Sequence, residues 1–388
     1  MTRRISVRSA DRNDLAQLLE IENTCFTMDI LSRRSFQGFI TPGAHDLLVA
    51  RFGRGTEDEV VGYVLVLYRT GTSLARLYSI AVMPECQGRG VAKQLVHSAE
   101  EAGRKRLCAF MRLEVSVNNE IAISLYKKHG YRAIGEVPEY YPDGSDALRM
   151  GKRIYAGVLK NELPASYYQQ TTDFTCGPAA LMMVLQTINE HYQMTRHEEL
   201  QIWREATTIF MTSGHGGCSP YGLALSAWRR GLAVELFINQ DGPPFIESVR
   251  DPDKKAVIEL VHEDFMSRIE GTGIDIRVQN INSEELERLL RSGHPIIALI
   301  STWRLNRNKA PHWVFVAGCD ENFIYINDPD VSGGPWRSET DCVLVPIGIR
   351  EFVQMASFGQ SRLRALLIFY AQPKGTCVPE VNPVQVVL

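Results

Sequence analysis

Two groups of residues in this chain have types and spacings suited to chemistry. The first is Gln87-Gly88-Arg89-Gly90-Val91-Ala92, which follows a strand-like run and Pro84 and opens a helix-like run. Two glycines let a backbone turn tightly and present several N–H groups together. The helix N-terminus adds its partial positive charge and Arg89 a full one, so the turn suits a pyrophosphate. The second group begins at Cys176-Gly177-Pro178, where an apolar helix starts. Gly177 permits close approach and Pro178 is a natural first-turn residue. A thiol placed at a helix N-terminus faces the positive end, which favours its thiolate form. His312 begins a later strand and Asp328 follows the next one, so a hairpin can bring an imidazole and a carboxylate together. Gln170, just upstream of Cys176, has a carboxamide N–H to offer an oxyanion. Each feature has a bland alternative: a glycine loop, a small core thiol, a packed histidine, an Asn-Asp-Pro turn. The combination carries the chemistry.

The elements that must position these residues fall into two sets. Residues 4–150 alternate strand and helix signals. Strands are expected at Ile5–Val7, Leu47–Arg51, Val60–Leu67, Ala75–Val82 and Met111–Ser116. Helices are expected at Asp11–Cys25, Gly90–Gly103 and Glu120–His129, the last stopped by Gly130. That is a mixed α/β domain. From Tyr167 onward, helices at Gly177–Glu190, Pro220–Arg230 and Ser283–Ser292 come first. Strands at Pro295–Ile300, His312–Ala317, Phe323–Asn327 and Arg364–Ala371 come later, an α+β order. The expected division is 1–160, 161–375 and a short tail at 376–388.

At 388 residues, with 45% hydrophobic and 22% charged residues, the chain fits two ordinary globular domains. A net charge of −3 gives no general electrostatic case for nucleic acid or an acidic membrane. No apolar run reaches the ~18 residues of a membrane span, and the first ten residues hold no signal-like segment. The eight cysteines include no Cys-x-x-Cys pair and read as reduced cytoplasmic thiols. His215-Gly-Gly-Cys218 offers one histidine and one cysteine, too few for a metal, and reads as a loop.

The Gln87–Ala92 stretch resembles the pyrophosphate-binding motif of the GCN5-related N-acetyltransferase (GNAT) family, Gln/Arg-x-x-Gly-x-Gly/Ala. Leu113-Glu-Val115, Asn118-Asn119, Ala122–Tyr126 and His129-Gly-Tyr131 resemble that family's last segments. Tyr140-Tyr-Pro-Asp-Gly144 is similar to a segment of the ribosomal-protein alanine acetyltransferases. The resemblance covers nearly the whole first domain. It implies acetyl-CoA as co-substrate, Glu114 as general base and Tyr126 as the acid that protonates the departing thiolate. It implies that Asn119 binds near the pantetheine and that the backbone of Ile80, Ala81 and Val82 pairs with it like an added strand. The chemistry requires such groups: an amine loses a proton before it attacks a thioester, and the thiolate needs stabilising.

Gln-x5-Cys-Gly-Pro, His312-Trp-Val314 and Asn327-Asp-Pro329 resemble the papain-like cysteine peptidases of bacteriocin exporters, which remove double-glycine leaders. Ser219–Gly231 is similar to the helix that packs beside the nucleophile in that group. The resemblance implies Cys176 as nucleophile, His312 as base, Asp328 as its orienter and Gln170 in the oxyanion hole. The departures are the lack of a transporter segment or ATP-binding motif, and a longer Cys-to-His interval, with additional chain expected within 190–215 and 238–275. These put a leader-peptidase substrate in doubt.

The expectation is therefore a cytoplasmic bifunctional enzyme: an N-acetyltransferase for a peptide or protein amine joined to a Cys-His-Asp peptidase, without nucleic acid or membrane. A peptidase exposes an α-amine and an acetyltransferase consumes one, which suggests peptide maturation. The alternatives are a Cys-His-Asp acyltransferase or transglutaminase, and a peptide-binding module with one degenerate domain.

Overall fold

The computed structural model describes residues 4–53, 59–156, 163, 166–208, 210–211, 214–307, 310–332 and 339–371. The expected tail at 376–388 lies outside them. The chain divides into two compact units, Met1–Val158 and Leu159–Leu388. Among the described residues no helix is long and apolar enough to cross a membrane.

In unit 1 the elements run β1 (Arg4–Ser9), α1 (Leu15–Cys25), α2 (Arg33–Ile40), β2 (His45–Gly53), β3 (Glu59–Tyr68), β4 (Leu74–Val82), α3 (Val91–Lys105), β5 (Phe110–Ser116), α4 (Glu120–Lys128), β6 (Arg132–Val137) and β7 (Ala147–Arg153). They form one sheet in the order β1-β2-β3-β4-β5-β7-β6. The two-residue period of β3 sends Tyr63 and Leu65 to one face, against Leu18, Ile21 and Phe36 of α1 and α2. Val64 and Val66 go to the other face, against Leu95, Val96 and Ala99 of α3. A bulge at Val61 shifts the register with β2 and reverses this alternation at the strand start.

One feature of this sheet bears directly on function. β4 and β5 run parallel but pair only from Leu74↔Phe110 to Arg76↔Arg112. Beyond Arg76 the two strands separate, while β4 stays paired with β3 as far as Val82. A second bulge, at Tyr78, falls at the start of this split. The backbone of Ile80, Ala81 and Val82 thus has an edge that β5 does not occupy.

Unit 2 contains α5 (Cys176–Ile188), α6 (Arg196–Ala206), β8 (Phe210–Met211), β9 (Gly214–His215), α7 (Pro220–Arg229), β10 (Leu232–Ile238), α8 (Pro252–Ile269), β11 (Asp275–Val278), α9 (Ser283–Leu290), β12 (Ile296–Ser301), α10 (Trp303–Asn306), β13 (Pro311–Cys319), β14 (Phe323–Asn327), β15 (Val345–Gly348), α11 (Ile349–Met355) and β16 (Ala365–Ala371). Its main sheet has the order β11-β10-β16-β12-β13-β14-β15, parallel only at β10–β11. Helices and strands interleave more than their expected order, because β10 and β11 add to the sheet before β12. The core joins α5 and α7 to the apolar face of β10, β16, β12 and β13. The additional chain expected at 190–215 and 238–275 contains α6 and α8.

Candidate active sites

In unit 1 the glycine turn joins the open end of β4 to α3. Gly88 and Gly90 have φ of 73° and 86°, the left-handed region that side chains avoid. Gly90 caps α3, whose first N–H groups receive no acceptor from a capping side chain. A Cβ at Gly88 would meet nothing within 4 Å, so the glycine serves the conformation and leaves room above the turn. Gln87 Nε2 donates to the Val82 carbonyl at 3.2 Å, tying the turn to β4. The Arg89 guanidinium lies over the Phe52 ring. The first residues of the helix, Val91 and Ala92, follow directly. This is a cradle for an anion beside an open strand edge, and it fits the pyrophosphate and pantetheine arms of acetyl-CoA.

The other expected residues of unit 1 fall less simply. Tyr126, on α4, is 4% exposed and packs edge-on against Tyr131. Burial raises its pKa, so the phenol keeps its proton. Asn119 is the N-cap of α4: its side chain accepts from the Ala122 N–H at 3.0 Å. Its carbonyl oxygen therefore has a structural task, and only its NH₂ is left for a ligand.

Glu114 is 5% exposed by side chain, with one oxygen 2.7 Å from Arg149 Nε and the other 2.7 Å from Arg76 Nη2. Arg76 also donates to the Tyr140 hydroxyl at 2.5 Å. These two ion pairs tie β5 to β4 and β7. The local motif could not reveal them, because the two arginines arrive from other strands.

In unit 2 the structure brings the expected residues together. Cys176 is the first residue of α5. His312 lies at the start of β13 and Asp328 just past β14, at the same end of that hairpin. His312 Nε2 is 2.7 Å from Asp328 Oδ1, with both side chains under 10% exposed. The Cys176 sulfur acts electrostatically on the same ring. Asp328 occupies Nε2, so Nδ1 is the ring nitrogen without a protein partner among the described residues. Burial opposes a charge on His312, but the Asp328 carboxylate and the Cys176 sulfur outweigh it, and the pKa is raised well above its ordinary value.

Close packing sets this line. A Cβ on Gly177 would lie 3.2 Å from Cys218, Leu223 and Trp313, so glycine lets α5 approach the residue next to His312. Trp313 Nε1 in turn donates to the Cys218 carbonyl at 3.2 Å. Asp328 is fixed by its own N–H to the Cys342 carbonyl and by the Asp330 N–H to its Oδ1. Gln170 is anchored through its N–H to the Pro329 carbonyl at 2.9 Å, beside Asp328, and its buried Oε1 has no hydrogen-bond partner. The carboxamide is thus uncommitted within the protein.

Sequence reasoning missed Glu199. This α6 residue is fully buried and its carboxylate accepts from the Thr171 N–H and hydroxyl, the Thr175 hydroxyl and the Tyr168 hydroxyl. It braces the strap that carries Gln170 into Cys176. Its only sequence signal was a glutamate one turn after a Thr195 cap, which reads as an exposed helix start.

Comparison with known proteins finds two family matches, one in each unit. The family model described as Peptidase C39-like matches residues 165–370, more than half of the chain. The acetyltransferase (GNAT) family model matches residues 15–131. A candidate ribosomal-protein-bS18-alanine N-acetyltransferase of Bacillus subtilis is 30% identical over 152 residues, 39% of this chain and 96% of that protein. An N-alpha-acetyltransferase of Sulfurisphaera tokodaii is 28% identical over 155 residues, 37% and 90% of the two chains. An uncharacterized N-acetyltransferase of Methanocaldococcus jannaschii is 36% identical over 98 residues; that match spans 25% of this chain and 62% of the archaeal protein. The crystal structure of the Escherichia coli ribosomal-protein-S18-alanine N-acetyltransferase aligns at a TM-score of 0.35 and 23% identity, over 40% of this chain and 97% of the other. The chain belongs to the Peptidase C39-like family through its second unit, and its first unit is an acetyltransferase domain of the GNAT family.

Proposed function

We propose that the chain is a bifunctional enzyme: unit 1 moves acetyl from acetyl-CoA to an amine at a peptide or protein N-terminus, and unit 2 cleaves a peptide bond through Cys176. The acceptor class rests on the relatives that act on ribosomal protein bS18 alanine or on α-amines. Acetyl-CoA supplies an activated acyl carbon. Gly88, Gly90 and the start of α3 hold its pyrophosphate through backbone N–H groups, and Ile80–Val82 present the free strand edge to its amide arm. Tyr126, kept protonated by burial, gives a proton to the thiolate as it leaves.

In unit 2 the Cys176 proton passes to His312, and the thiolate attacks the scissile carbonyl. The N–H groups at the start of α5 and the Gln170 carboxamide receive the developing oxyanion. His312, held by Asp328, then protonates the departing amine, and water releases the acyl group from sulfur. The observation that carries this half is the buried His312–Asp328 contact at 2.7 Å, with Cys176 close enough to act on the His312 charge.

Brief alkylation of the full chain with iodoacetamide near neutral pH, followed by peptide mapping, tests it. Cys176 is expected to label first. Burial raises the thiol pKa of Cys25, of Cys108 to about 12, and of Cys218, so these react slowly. His312→Ala is expected to slow Cys176 about tenfold or more, since it removes the partner ion. Earlier labelling of another thiol, or an unchanged rate in His312→Ala, removes the nucleophile pair.

A further inference from the structure

The acceptor amine must lose a proton as it attacks, and Glu114 is committed to Arg76 and Arg149. A different carboxylate stands behind the open strand. Glu22, on α1, is 1% exposed; its Oε1 accepts from the Leu31 N–H at 2.7 Å and its Oε2 from the Tyr63 hydroxyl. No cation is among these partners. The Tyr63 hydroxyl, itself fully buried on β3, lies 2.8 Å from Ser79 Oγ on β4. Ser79 is only partly buried and stands just past the bulge at Tyr78, where β4 and β5 have separated.

With Glu22 ionised the direction of these hydrogen bonds follows: a carboxylate only accepts, so the Tyr63 proton points at Glu22 and the Tyr63 oxygen accepts from Ser79. The Ser79 oxygen keeps a lone pair, on a partly exposed residue where β4 and β5 no longer pair. We infer that Ser79, Tyr63 and Glu22 form a proton relay that removes the proton from the acetyl-accepting amine. This rests on the acetyltransferase reading of unit 1 and names the group that serves as its base.

The step balances. The amine lone pair forms the C–N bond to the acetyl carbonyl carbon, and the C–S bond breaks. The amine proton goes to Ser79 Oγ, the Ser79 proton to Tyr63, and the Tyr63 proton to Glu22 Oε2, leaving a neutral carboxylic acid. The thiolate takes its proton from Tyr126. After product leaves, Glu22 returns its proton along the same chain and Tyr126 regains one from solvent. Burial supports both ends. It outweighs the two hydrogen bonds and raises the Glu22 pKa, making it a better acceptor, and it keeps Tyr63 a hydroxyl.

The test uses the full chain, acetyl-CoA and a synthetic peptide with an N-terminal alanine, scoring acetylated product by mass. Ser79→Ala and Tyr63→Phe each break the relay; the second keeps the ring that packs 5.5 Å from Phe36. Each is expected to lower kcat about 100-fold, the scale of general-base loss, with KM for acetyl-CoA unchanged. Ser79→Thr restores the hydroxyl and is expected to recover most of the rate, which a packing role would not produce. A full rate in Ser79→Ala, or a loss confined to Glu114→Gln, returns the proton to Glu114 and overturns the relay while leaving the transferase intact. A wild-type chain that acetylates neither this peptide nor peptides with other N-terminal residues overturns the α-amine acceptor reading and the relay with it.

Discussion

The candidate residues of unit 2 were legible because each is chemically marked and stands at an element end. Cys176 opens α5, His312 opens β13 and Asp328 closes β14. The carboxylates were harder, since a glutamate reads alike whether it faces water, two arginines or three hydroxyls. Glu114 pairs with two arginines, whereas Glu22 and Glu199, which the sequence did not single out, are buried acceptors. Their partners lie on other elements, and local sequence does not encode those distances. His312 gives a prediction with a definite sign. Burial lowers its pKa, but Asp328 and Cys176 raise it well above 6.5. Imidazolium is needed to protonate the leaving amine, so activity on an activated peptide substrate persists above pH 6.5 and falls as pH rises through the raised value. The associated stability is complete below about pH 6.5, the unfolded value, and is lost over the same alkaline range. Asp328→Asn removes the larger raising cause, so its descending limb is expected at lower pH. A pH–rate profile checks this; an unmoved limb takes Asp328 out of the role.

At the scale of elements, the long apolar strands and the helices α1, α3, α4, α5, α7 and α9 were readable from period. α2, α6, α8, α10, α11, β6, β7, β8, β9, β10, β11 and β15 were not assigned from sequence. β6 is an exposed edge with no alternating apolar face, and α8 buries only Ile258, Phe265 and Ile269 over 18 residues. The split of β4 from β5 was invisible for a different reason: it is a pairing that stops, and only the register shows it. Two outcomes follow here. Valines at both Gly88 and Gly90 force left-handed φ on β-branched residues and fill the anion cradle. Calorimetry on the full chain is expected to show acetyl-CoA affinity lost about 100-fold or more, roughly 3 kcal/mol. Glu199→Ala removes the shared acceptor of Thr171, Thr175 and Tyr168, of which only Thr175 is buried. It is expected to destabilise unit 2 by about 1–3 kcal/mol, the scale of a buried polar network losing one partner. Slower alkylation of Cys176 should accompany the lower melting temperature. A normal melt with normal alkylation makes Glu199 incidental.

At the scale of the whole molecule, each unit carries its own sheet and core, and the division between them falls after Val158. Cutting a peptide bond leaves a free α-amine, and the activity proposed for the first unit consumes one. We propose that the two activities act on one substrate class in that order. The most direct measurement is a mass-spectrometric survey of peptide N-termini in the producing cell, with the native chain, Cys176→Ala or Tyr126→Phe in its place. The account predicts a set of internal-origin acetylated N-termini that disappears in Cys176→Ala and returns as free amines in Tyr126→Phe. Acetylated N-termini that are identical in the native and Cys176→Ala cells would contradict it.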